Sequence, residues 1–329
     1  GDVVTLTATK TGYSGCTITA SPITVTADAT ANVTGCTLNT YTISGTTDGA
    51  TVTAAGSTVS NTVTATAGIY SLSAKYGDVV TLTATKTGYT CTVAGSPMTV
   101  FAANVSTANV SCTANTYTVG GTNTDGASVS IAGSSITGQS ATPANPYSFN
   151  AKYGDVVTLT ATKTGYTCTV AGSPITVGAA NVTTANVSCT PIAYTISVTN
   201  TPEAAVSISG STATNATNPN SATSFSFSAN YGDNVSLSAT KAGNACSITP
   251  ASINPVTGNT TATVSCTANT YTISGTTDGA TVTAAGSTVS NTVTATAGIY
   301  SLSAKYGDVV TLTATKTGYT CTVAGSPIT

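Results

Sequence analysis

Cysteines are the residues best placed to do chemistry in this chain, and eight of the nine fall in twos. Cys16 and Cys36, Cys91 and Cys112, Cys168 and Cys189, and Cys246 and Cys266 stand 20 or 21 residues apart. Thiols at a repeated spacing could bind zinc, attack a substrate or oxidise to disulfides. Zinc wants four close ligands, usually with a CxxC pair or histidine, and the sequence contains neither. A nucleophilic Cys, Ser or Thr needs a base beside it, and without histidine only Asp and Lys remain. Oxidation needs nothing more. Four disulfides are therefore expected, each worth about 3 kcal/mol through loop closure. They place the protein outside the cytosol. Cys321 has no mate at that spacing before residue 329.

The charged residues point away from catalysis. Asp78 recurs in the same turn as Asp155, Asp233 and Asp308, where a carboxylate caps its own turn. Calcium would need several oxygen ligands, and each repeat offers about two Asp. Lys86 reads as a solvated turn residue. A Lys–Asn isopeptide staple would want a buried acid beside the pair, yet Glu203 is the only glutamate. With eight Lys, no Arg and a net charge of −2, no basic face is available for nucleic acid or an anionic lipid surface. No apolar run reaches the roughly 18 residues that a membrane-spanning helix needs. The expectation is no enzyme, no cofactor, no metal, no nucleic acid and no membrane insertion.

Asparagine offers a different chemistry. Sequons for N-glycosylation occur at Asn32, Asn104, Asn109, Asn181, Asn186, Asn215, Asn234 and Asn259. Yet 22 Asn in a chain this rich in Ser and Thr yield about eight sequons by chance. A stronger hint is that only 5% of residues are charged, against about 25% in typical soluble domains. Hydroxyl groups or covalent sugar must then keep the surface wet.

The elements that position these residues repeat. "KYGDVVTLTATKTGYTC" stands at 75–91, 152–168 and 305–321, with variant copies at the start of the chain and at 230–246. The Gly-Asp pairs step by 76, 77, 78 and 75 residues, a period long enough for one bead per repeat rather than one strand per turn. "VTLTAT" puts Val80, Leu82 and Ala84 on one face and Thr81, Thr83 and Thr85 on the other, the period of a half-buried strand. Threonine alone supplies 77 residues. The reading is all-β: a β meander in each of the repeats 39–114, 115–191 and 192–268, with partial repeats at 1–38 and 269–329. Tyr41, Val52, Val80, Leu82 and Val110 should be buried. Tyr89, Tyr166 and Tyr319 should pack over the end of the fold. The stretches 55–69, 132–146 and 209–224 differ most between repeats and read as exposed loops. Short links predict a semi-rigid rod.

The runs "YTISGTTDGATVTAAGS", "YSLSAKYGD" and "GYTCTVAGSPITV" resemble the prealbumin-like repeats related to the regulatory domain of carboxypeptidases, which bacterial surface proteins carry in tandem. "YGDVVTLTATKTGY" also resembles the divergent internalin B-type repeat. The resemblance implies an Ig-like or prealbumin-like β-sandwich spacer without catalytic residues. The expected role is an extracellular fibre or cell-surface stalk, or alternatively an adhesin gripping glycan or protein through the variable loops. Expected partners are further repeats of the same chain, lateral copies and covalent glycans. Residues 39–97 and 269–327 are identical over 59 positions, and the chain reads as a window on a longer array. In 269–329 the closing strand is missing, so Val310 and Leu312 are expected to be partly uncovered.

Overall fold

Alternation sets the strands. In the computed structural model, Val79–Thr85 buries Val80 and Leu82 and exposes Thr81, Thr83 and Thr85, as a sheet with one wet face requires. The structure describes all residues except 64, 67, 211, 213–222, 294, 296 and 297. Among the described residues every named element is a strand. No helix is long and apolar enough to cross a membrane.

The repeat 39–114 shows the architecture. Strand Thr40–Thr46 pairs antiparallel with Ile69–Lys75, whose other neighbour is Ala65–Thr66. Strand Val79–Thr85 pairs with Thr51–Ala55 and Met98–Thr99, and Ser60–Val63 extends that second sheet beyond Thr51–Ala55. Tyr89–Val93 and Val110–Ala114 form a further antiparallel pair. Ahead of it, Val105 bridges parallel to Ile43. One core joins these sheets: Ile43 and Tyr70 from the first meet Val52, Val80 and Leu82 from the second. Full burial of each such side chain contributes roughly 1.5–3 kcal/mol. In the repeat 192–268 the parallel contact becomes a ladder, from Ile196 opposite Thr260 to Thr199 opposite Thr263. There Ala193–Thr199 sits between Ser224–Asn230 and Thr260–Ala268.

The repeat is therefore not a meander. Thr40–Thr46 and Thr51–Ala55 follow one another in sequence but belong to different sheets. Each carries an apolar face, and only a partner across the core can cover both. Asp48 and Gly49, with φ of 46° and 71°, turn the chain between those sheets rather than closing a hairpin.

Three finer expectations also change. Tyr41 is only half-buried, and the buried tyrosine is Tyr70, 1% exposed. Tyr70 stands opposite Gly45 in the ladder and crosses it to donate its hydroxyl to the Ala108 carbonyl; Gly45 leaves the space a side chain would fill. The stretch 55–69 is not simply loop: it contains Ser60–Val63, Ala65–Thr66 and the buried Val59. Its divergence is tolerated because both strands lie at sheet edges. Within 132–146, Thr142 bridges Val129, whereas most of 209–224 lies outside the described residues. Lastly, Val310 and Leu312 are buried, 0% and 4% exposed. Val310 exchanges backbone hydrogen bonds with Ile328, and Val282, Ala284 and Val289 complete their cluster.

The chain forms two compact units, one of Gly1–Thr162 with Cys168–Ser188 and the other of Lys163–Thr167 with Cys189–Thr329.

Candidate functional site: staple, clamp and joint

The staple comes directly from strand register. Cys91 stands opposite Cys112 on paired strands, with Cα atoms 4.1 Å apart, and the two are joined. Cys246 and Cys266 repeat the arrangement at 4.1 Å, and Cys16 and Cys36 are bonded at 4.0 Å. Cys168 and Cys189 are disulfide-bonded as well. Cys321 is a free, half-buried thiol. In Val110–Ala114, Val110 is buried and Cys112 half-buried while Ser111 is exposed, so alternation delivers the thiol to the inward face. These bonds indicate an oxidising compartment.

A carboxylate clamp sits at the "YGD" turn. Asp78 is 5% exposed and accepts the Lys75 N–H, as a turn cap should. It also accepts the hydroxyls of Ser57 and Thr58, which begin the variable stretch. Asp155 does the same with Lys152 N–H, Ser134 and Ser135. Asp308 takes Lys305 N–H, Ser287 and Thr288, and Asp233 takes Asn230 N–H and Thr212. Burial alone would raise the Asp155 carboxyl, but the Ser135 hydroxyl, the Lys152 N–H, the Ser134 hydroxyl and the Lys152 charge outweigh it and hold the group below its ordinary value. The Ser287 and Thr288 hydroxyls lower Asp308, helped by Lys305 against burial. The hydroxyl pair was the part hidden in the sequence. Its signal was the recurrence of Ser or Thr near the start of each divergent stretch.

The third arrangement joins one repeat to the next. Within the first unit, Tyr76 lies on Gly12 and Tyr153 on Gly88, so closely that a methyl group on either glycine would overlap the ring. Asn39 N–H donates to the Gly12 carbonyl at 2.8 Å, and Tyr76 N–H to the Asn39 carbonyl at 2.9 Å. Asn115 and Tyr153 repeat both bonds at 2.9 Å. Within the second unit, Tyr231 covers Gly165 and Tyr306 covers Gly243 with the same backbone bonds. Tyr89 meets Tyr153 edge to face at 5.6 Å, and Tyr166 meets Tyr231 at 6.1 Å. Lys86 is not merely solvated: its Nζ lies 4.2 Å from the Tyr89 ring centre and donates to the Asp48 carbonyl at 2.8 Å. Tyr319 differs, being 67% exposed. Sequence reasoning missed the joint, although a tyrosine precedes Gly-Asp at positions 76, 153, 231 and 306.

The sequon residues Asn32, Asn104, Asn109, Asn181, Asn186, Asn234 and Asn259 are all exposed, and Asn215 lies outside the described residues. Among the described residues no group of three or more His, Cys, Asp or Glu could hold a metal.

No family model and no curated protein matches the chain. Among solved structures it is similar to the Bacillus anthracis TIE protein, at 11% sequence identity and a TM-score of 0.41, over 71% of this chain. The match spans about half the length of that structure, 52%.

Proposed function

We propose that the chain is a structural repeat protein of an extracellular fibre or surface stalk, in which each repeat is a stapled spacer carrying tension. One observation carries this reading. The first strand of a repeat and its closing segment lie side by side and parallel, at Ile43 and Val105, at Val119 and Val182, and along the ladder from Ile196 to Thr199. Tension entering at the start of the first strand and leaving at the end of the closing one loads those hydrogen bonds in shear, together rather than one after another. The disulfide then closes the outer strand pair covalently. The joint passes the load on through backbone bonds and a seated tyrosine. The chain does this without catalysis and without a cofactor, and its partners are further repeats and neighbouring copies. The likeness of "YTISGTTDGATVTAAGS" and "GYTCTVAGSPITV" to tandem prealbumin-like surface repeats supports the same role.

Antibodies raised against the 115–191 repeat, used to label cells of the native source in electron micrographs, test it. Label along filaments or stalks is expected; label confined to the cell interior overturns it. The adhesin reading rests on the divergent stretches, and a glycan or protein array probed with the full chain separates the two. Saturable binding lost when 132–146 is replaced would favour the adhesin.

A further inference from the structure

The structure sorts the sequons into groups. Asn104 Oδ1 accepts the Thr42 N–H at 2.9 Å and Asn109 Oδ1 the Thr46 N–H at 3.0 Å. Asn181 accepts from Thr118 and Asn186 from Thr122, both at 2.9 Å. Asn259 accepts from Thr195 at 2.9 Å. Because the donor in every case is a backbone N–H, the bonded atom must be the amide oxygen. The amide nitrogen is the other atom. It has no hydrogen-bond partner among the described residues, and each of these side chains is exposed. The hydroxyl residue two positions on (Ser106, Ser111, Thr183, Ser188 and Thr261) is exposed too. An extended backbone brings i and i+2 to the same face. Five sequons therefore present nitrogen and hydroxyl together to solvent, with the oxygen already held.

Their location adds a second argument. The run through Val105 pairs with the Thr40–Thr46 strand on one side, and no described strand pairs with 102–108 on the other. The run through Val182 has the same open side. Such an edge offers free backbone groups to any passing strand, and proteins commonly block it with charge. This chain carries charge on only 5% of its residues, and 102–108 and 179–185 contain none.

We infer that Asn104, Asn109, Asn181, Asn186 and Asn259 carry N-linked glycans, and that those at Asn104 and Asn181 cover the edge which charge leaves open. The donor is a sugar carried on a polyprenyl phosphate or pyrophosphate. The asparagine Nδ2 bonds to the anomeric carbon and gives up one proton. The bond from that carbon to the phosphate oxygen breaks, and its electron pair leaves with the lipid phosphate. The held Oδ1 keeps its backbone bond, so the fold accepts the sugar without losing a contact.

Peptide mapping by mass spectrometry of protein from its native source tests this. The five peptides are expected to carry sugar on more than half of the molecules, and amidase release in heavy-oxygen water should leave labelled Asp at each site. Recovery of the same peptides unmodified overturns the inference. A second arm separates the sugar from the structural role of Asn. In the native host, Ser106→Ala should remove the glycan at Asn104 and leave the melting temperature of the deglycosylated chain unchanged. Sugar that persists at Asn104 in that variant overturns it equally.

Discussion

At the scale of single residues, acid should loosen this fold through its aspartates. Asp155 and Asp308 titrate below their ordinary value because hydroxyl and backbone donors favour the charged form. A carboxyl lowered in the folded state stabilises that state fully above its unfolded value, about 3.9. The contribution disappears as pH falls through the lower folded value. Urea midpoints should thus hold level across neutral pH and fall as acid takes the solution below about pH 4. Asp155→Asn should flatten part of that fall, and an unchanged acid limb would refute the clamp. A core substitution sets the comparison: Ile43→Ala, at a side chain with 0% exposure, should cost about 2–5 kcal/mol. The sequence made Asp78 legible as a turn cap because Lys75 is three residues away. It hid Ser57 and Thr58, because Thr58 stands 20 positions before the carboxylate it donates to, with most of the divergent stretch between them.

Elements were legible where a two-residue period could be read, and illegible where connection mattered. "VTLTAT" announces its strand and its buried side, and "ANVSC" announces the inward cysteine. Nothing in "TTDGA" says whether the turn closes a hairpin or crosses to the facing sheet, since the same two left-handed residues serve both. The joint was hidden for a related reason: Gly88 and Tyr153 are far apart in sequence and meet only when two repeats are folded. It makes a sharp prediction. Gly88→Ala places a methyl group against the Tyr153 ring at a residue with φ of +78°, so it should both strain the turn and unseat the tyrosine. Hydrogen exchange at Asn115 and Tyr153 amides is expected to rise at least tenfold, while Val80 and Leu82 amides in the core remain protected. Equal acceleration at both places would mean that the repeat itself had unfolded. The staple is tested in parallel. Thiol labelling of the unreduced, native chain should spare Cys91, Cys112, Cys246 and Cys266, and reduction should lower stability by about 3 kcal/mol per bond.

For the whole molecule, the staple limits how far each repeat can lengthen. Cys91 and Cys112 are 21 residues apart in sequence, yet their Cα atoms are 4.1 Å apart. While the bond is intact the segment between them cannot extend, whatever happens to the sheets around it. An unfolded chain extends by about 3.3–3.6 Å per residue, so the bond should withhold roughly 70 Å from each repeat under load. Pulling the full chain from its two ends in a force spectrometer should give a sawtooth of similar steps. Adding reductant should lengthen each stapled step by about 70 Å, with the shear-loaded parallel pairs setting the force in both conditions. Steps that ignore the reductant would mean that the bonds lie outside the path of tension, and the spacer reading would fail with them. Unfolding forces that fell together with the longer steps would instead make the staple, rather than the parallel strands, the element that resists.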